Sequence, residues 1–146
     1  MASESPLAQI PIRIEPAWTV NGLMSFQLRV GAELSCPRGP TIGTVDFLID
    51  TGATFSLVHY MDAERLGINV RSLQELDTAR TAAGPLRIAR LDEVTLTMMT
   101  SSSKHPRCIV TLESIGVAVI PRDSLPPLKQ MPSLLGMDVI ACFRLV

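Results

Sequence analysis

Apolar and polar residues alternate along much of the chain, with a period that changes at identifiable places. Ile10, Ile12 and Ile14 are separated by Pro11 and Arg13 and followed by Glu15, a period of two that predicts a half-buried strand. The pattern recurs at Met24, Phe26, Leu28 and Val30, after the turn signal Asn21-Gly22. A glycine and two prolines between Pro37 and Pro40 interrupt it, and Val45, Phe47 and Ile49 open a third strand that runs into Asp50. A helix is predicted over Tyr60 to Leu66, where Asp62 and Glu64 suit the first turn and Gly67 is placed to end it. Leu73 to Ala79 and Leu86 to Thr100 read as two β segments joined across Ala82-Ala83-Gly84-Pro85. Ser101 to Pro106 reads as a solvated turn. Strands are then predicted at Cys108 to Leu112 and Val117 to Ile120, a Pro-rich connector at Pro121 to Pro132, and an apolar, buried end from Leu134 to Val146. No internal repeat or interdomain linker interrupts this series, which predicts one all-β domain over residues 1–146.

Composition narrows the function classes. The chain has 146 residues, 47% of them hydrophobic, and a formal net charge of −1. That is enough apolar sequence for a proper core, and it gives no electrostatic reason to expect nucleic acid or an anionic membrane as partner. The polar, acidic start from Met1 to Pro6 has neither a basic nor an apolar region of the kind a secretory signal needs. No apolar run approaches the ~20 residues of a spanning helix; Ile115 to Ile120 fits a buried strand instead. Cys36, Cys108 and Cys142 are scattered and odd in number. They lack the close spacing of zinc ligands, and reduced thiols in a cytoplasmic protein are the expectation. No metal or other cofactor is implied.

The chemistry is concentrated in Phe47 to Val58. An apolar strand ends abruptly in Asp50, Thr51 and Gly52, and a second apolar stretch follows. A carboxylate flanked by so much hydrophobic sequence is costly unless something stabilises it. Gly52 lets the backbone turn tightly and present amide N–H groups to the acid, while Thr51 can hydrogen-bond locally or to a neighbour. An acid held this way suits general acid–base work. An isolated Asp-Thr-Gly is a common turn. The rarer feature is the combination of strand, Asp-Thr-Gly-Ala-Thr, strand and helix with Leu134-Leu135-Gly136-Met137-Asp138-Val139-Ile140 some eighty residues later. Other residues have simpler readings. His59 and His105 are expected at the surface, Met98 and Met99 in the core, and Lys104 and Arg107 in a small solvated basic turn; Ser56 lacks the G-x-S-x-G elbow of a hydrolase.

These segments resemble the retroviral-type, retropepsin-like aspartic proteases, and more closely their small bacterial relatives, over roughly residues 42 to 146. Asp50, Thr51, Gly52 and Ala53 match the family's D-T/S-G-A motif. Thr81, Ala82, Ala83 and Gly84 fit its flap, and Leu134-Leu135-Gly136 fits the segment that opens its short C-terminal helix. The resemblance implies a closed acid-protease β-barrel with one helix after the catalytic strands and a short C-terminal helix. It implies Asp50 as catalytic residue, Thr51 and Gly52 bracing a dyad, and substrate contacts from Ala53 and the flap. Only one copy of the motif is present, since Asp77-Thr78 is followed by Ala79 and Asp123-Ser124 by Leu125. Acid-protease chemistry needs two carboxylates sharing a proton, so the expected partner is Asp50 of a second copy in a homodimer, with Phe143 to Val146 as an interface strand and a polypeptide as substrate. Two departures stand out. Viral members usually carry Asp after the motif's alanine and Arg after the late glycine, where this chain has Thr54 and Met137. Ala82, Ala83 and Pro85 should also stiffen the flap. A function of another class fits the same fold: a dimeric β-barrel that binds peptides without cutting them.

Overall fold

The computed structural model describes residues 9–17, 22–36, 41–81, 84–100, 107–119 and 131–143. Eight strands follow in chain order: β1 (Arg13–Pro16), β2 (Phe26–Ser35), β3 (Thr41–Ile49), β4 (Leu57–Val58), β5 (Gln74–Thr81), β6 (Gly84–Met99), β7 (Arg107–Ala118) and β8 (Leu134–Leu135). Helix α1 (Tyr60–Arg65) and a single 3-10 turn (Val70–Ser72) lie between β4 and β5, and a short helix α2 (Met137–Ile140) follows β8. The strand order is β1-β2-β3-β8-β4-β7-β6-β5. A further pairing of β2 with β6, at Glu33↔Thr97 to Ser35↔Thr95, closes the six strands from β2 to β6 into a ring. The expected closed, all-β architecture with one early helix and one short late helix is therefore present.

Period-two patterning explains most of this. Val45 and Phe47 on β3, Val30, Ala32 and Leu34 on β2, and Val94, Leu96 and Met98 on β6 all point into one core and are at most 4% exposed. At ~25 cal/mol per Å2 of apolar surface, such side chains contribute about 1.5–3 kcal/mol each to folding. Helix α1 starts after His59, one of whose ring nitrogens accepts the N–H of Met61. It ends at Gly67, whose φ of 72° is cheap only for glycine. Gly43 allows a close approach for a different reason: a Cβ there would sit 2.5 Å from the Leu66 side chain.

Several expectations need correcting. The strands expected at Cys108 to Leu112 and Val117 to Ile120 are one strand, β7, because β6 supplies a continuous register from Met99↔Arg107 to Ile88↔Ala118 that carries the polar Glu113-Ser114 step with it. Among the described residues other than glycine, Glu93 alone adopts a positive φ, 53°, where the register passes from Asp92↔Ser114 to Val94↔Leu112. Met99 is 60% exposed although Met98 is buried, since neighbours on a strand face opposite ways. His59 is not a surface residue; it is 4% exposed. Arg107 is the first residue of β7. The turn at Ser101 to Pro106, with Lys104 and His105, and most of the Pro-rich connector lie outside the described residues. The three cysteines are free. Among the described residues no helix is long and apolar enough to cross a membrane, and no group of His, Cys, Asp or Glu is arranged to hold a metal ion.

Two measurements test this packing. Phe47→Ala, at a fully buried position, should cost about 3–5 kcal/mol in urea unfolding. With a thiol reagent near pH 8, exposed Cys142 should react before Cys36, whose thiol is pushed up by burial and by the Glu93 carboxylate and so holds less thiolate.

Candidate active site

The Asp50 loop is built where β8 wedges between β3 and β4. β8 runs parallel to β3 (Leu48↔Leu134, Ile49↔Leu135) and antiparallel to β4 (Leu57↔Leu134). The chain therefore leaves β3 at Ile49, passes around the end of β8 through Asp50 to Ser56, and returns as β4. Backbone bonds fasten the departure: Leu48 N–H donates to the Ser133 carbonyl at 2.9 Å and Asp50 N–H to the Leu135 carbonyl at 3.0 Å. Asp50 is half-buried. Its Oδ1 accepts the Gly52 N–H at 2.9 Å, and its carbonyl accepts the Ala53 N–H at 3.2 Å. A Cβ at Gly52 would lie 3.2 Å from that same Oδ1. Thr51 is exposed, and its hydroxyl has no hydrogen-bond partner among the described residues.

The return of the loop is fastened by side chains. Ser56, fully buried, donates its hydroxyl to Asp138 Oδ1 at 2.7 Å and accepts the Gly136 N–H at 2.9 Å. The Ser56 N–H donates to Asp138 Oδ2 at 2.9 Å, and the Val139 N–H donates to Oδ1 at 2.9 Å. The backbone reinforces the joint: Met137 and Asp138 N–H donate to the Ala53 and Thr54 carbonyls at 2.8 and 3.2 Å. Gly136 is the point of closest approach, where a Cβ would sit 2.5 Å from the Phe55 carbonyl carbon and 2.9 Å from the Ala53 oxygen.

A second polar network braces the far side of β4. Ser133 Oγ accepts the His59 N–H at 2.9 Å and donates to Asp62 Oδ2 at 2.6 Å. Arg65 then joins Asp62 Oδ1 at 3.0 Å to the Thr44 carbonyl at 2.8 Å. His59 is buried because it belongs to this network: its Nδ1 accepts from Met61 N–H, and its ring lies 4.4 Å from that of Tyr60.

Asp50, Thr51, Gly52 and Ala53 thus share one loop. Thr81 and Gly84 stand apart from it, paired with each other at the end of the β5–β6 hairpin, and Gly84 has a φ of 115°. Ala82 and Ala83 lie outside the described residues.

An acid at a strand end, held by the Gly52 N–H, in a loop fastened to a late glycine through Ser56, has a family counterpart. The aspartyl protease family profile matches residues 39–139, most of the chain. The chain belongs to the aspartyl protease family. Among solved structures this aspartyl protease is similar to a retropepsin-like aspartic protease from Rickettsia conorii, at 21% identity and a TM-score of 0.53 over 93% of this chain and 91% of that one. It is also similar to the EIAV protease complexed with the inhibitor HBY-793, at 16% identity and a TM-score of 0.49, with 97% of each chain covered. A comparison with curated proteins gives no match. The fold is the retropepsin-like one.

In this aspartyl protease chain, sequence patterning found the acid loop and the late glycine and missed Ser56, Ser133 and Asp138. Two signals pointed to them. A lone hydroxyl inside the apolar run Phe55 to Val58 needs a buried partner, and Asp138 is an acid in the first turn of a helix. Thr54 and Met137 take part in the joint through backbone bonds, the Thr54 carbonyl accepting the Asp138 N–H and the Met137 N–H donating to the Ala53 carbonyl. Ser56→Ala should lower stability by about 1–3 kcal/mol in urea unfolding, because it leaves the buried Gly136 N–H without an acceptor. Gly136→Ala should cost more, through its backbone clash, whereas Thr54→Ala, at an exposed side chain, should stay within about 0.5 kcal/mol of wild type.

Proposed function

We propose that the chain is an aspartic endopeptidase that works as a homodimer, with Asp50 of each copy forming the water-activating pair. What supports this most is the setting of Asp50: a half-buried carboxylate held at one oxygen by the Gly52 N–H, present in one copy per chain. One carboxylate cannot be both the general base and the proton donor in the same step. A two-fold partner supplies the second from the same residue.

The chemistry follows from two carboxylates that share one proton. The ionised Asp50 takes a proton from a water held between the pair, and that water attacks the scissile carbonyl carbon. The protonated Asp50 donates to the carbonyl oxygen, so a tetrahedral diol forms without an acyl-enzyme. Collapse returns a proton to the leaving amine. The pair titrates as a unit, so its pKa values belong to the dyad and not to either copy. The unpartnered Thr51 hydroxyl is free to bond across the two-fold axis, which suits a dyad brace together with Gly52. Ala53 and the hairpin tip at Thr81 to Gly84 would pair with an extended polypeptide through main-chain bonds, with side-chain pockets setting preference. Residues 1–146 form one domain on this account. No cofactor takes part, and three free thiols suit a reducing, cytoplasmic setting.

Incubation of a denatured-protein mixture near pH 5, with and without pepstatin, tests the proposal. Wild type should cut, with a bell-shaped pH dependence because one member of the dyad must be ionised and the other protonated. Asp50→Asn should lose at least ~100-fold in rate. Peptides bound equally by wild type and Asp50→Asn, and cut by neither, would make the chain a peptide-binding module.

A further inference from the structure

One face of β2 begins inside the core and ends outside it. Leu34, Ala32 and Val30 are 0%, 1% and 4% exposed, whereas Leu28 and Phe26, further along the same face, are 41% and 61% exposed. β1 extends this uncovered face. Ile14 pairs directly with Leu28, so the two side chains lie side by side, and Ile14 is 68% exposed. The sequence pattern predicted a half-buried β1, but Ile14, on the apolar side of this strand, is exposed. Contiguous apolar surface of this kind marks an interaction site more often than scattered exposed residues do.

The location of the patch indicates what covers it. Arg29 pairs with Leu48, so the exposed end of β2 lies beside the end of β3 that leads into Asp50. The hairpin is also held firmly in place from its other face. Arg13 and Arg29 both reach Asp46 on β3, and Arg29 reaches Glu15 at 3.4 Å. These ion pairs tie β1, β2 and β3 together and gather the charge on the side away from Ile14, Phe26 and Leu28. An uncharged apolar face needs an apolar partner, and a two-fold axis supplies one in the same patch or its apolar neighbours. The copy that brings a second Asp50 must approach this same end of the sheet.

We propose that the Ile14, Phe26 and Leu28 face of the β1–β2 hairpin is a subunit contact, covered by a second copy of this chain. The inference rests on the two-carboxylate account of the site. It differs from a dimer held only by chain ends, because the contact is a hairpin pinned to the strand that carries Asp50.

Sedimentation velocity of the full chain across a concentration series tests it. The probes are wild type, Phe26→Asp/Leu28→Asp, Asp50→Asn, and Ile109→Asp as a control at an exposed position on β7. Wild type, Asp50→Asn and Ile109→Asp should dimerise alike. The double variant should keep its far-UV circular dichroism and show a dissociation constant raised ~1,000-fold or more, since each change counts twice across a two-fold axis. Hydrogen exchange on unmodified protein gives an independent readout: amides of residues 13–15 should gain protection as concentration rises. A double variant that dimerises like wild type overturns the inference, even if the chain cuts peptides. A wild type that stays monomeric, or whose hairpin is equally protected at every concentration because its own N-terminal residues cover it, overturns it too. Dimerisation through the hairpin with no cleavage by wild type keeps the subunit contact and removes the protease function.

Discussion

The structure depends on one joint, in which Ser56 and Asp138, 82 residues apart, share two hydrogen bonds. The return of the Asp50 loop is anchored through it. β3 delivers the acid, β8 passes between β3 and β4, and α2 closes over the loop from the far side. An acid at the end of an apolar strand is stable only if its surroundings supply donors. Here the Gly52 N–H supplies one at Asp50, and a second carboxylate, Asp138, collects the donors of the returning chain. Gly136 makes this possible, because any side chain there would collide with the Phe55 backbone.

The same joint separates what the sequence showed from what it hid. The run into Asp50 was legible because Val45, Phe47 and Ile49 keep period two right up to a residue that breaks it. Helix α1 was legible from its acidic first turn and from Gly67. The Ser56–Asp138 contact was hidden because each residue's own segment signals at most the need for a partner and not which one; only the placement of β8 brings them together. His59 was misread for the same reason: its burial comes from Ser133, which follows the proline-rich connector in sequence. Ring closure through β2 and β6 rests on three residue pairs between distant strands, and periodicity within one strand carries no information about such partners. β1 was read as half-buried because alternation reports which side of a strand is apolar, not whether anything covers it.

Ring closure also has consequences for function. With β2 paired to both β3 and β6, the sheet's remaining edges among the described residues are β1 and β5. β1 carries the uncovered apolar face beside the Asp50 end of β3, and β5 leads into the hairpin of Thr81 and Gly84. On the proposed two-carboxylate account, the Asp50 loop and this exposed apolar face lie at one end of the molecule, where a second copy would complete both through the same two-fold operation. Thr54 and Met137 offer no ion pair between the two segments, and the Ser56–Asp138 joint holds them together.

The central claim is that one catalytic centre needs an intact Asp50 from each of two copies. It is tested most directly by co-refolding wild type with increasing amounts of Asp50→Asn and measuring the peptide-cleavage rate per unit of total protein. If the dyad spans two subunits, hybrid dimers are inactive and activity falls as the square of the wild-type fraction, to about one quarter in an equal mixture. A straight-line fall, with about half the activity left in that mixture, would mean that each chain acts on its own and would contradict the account.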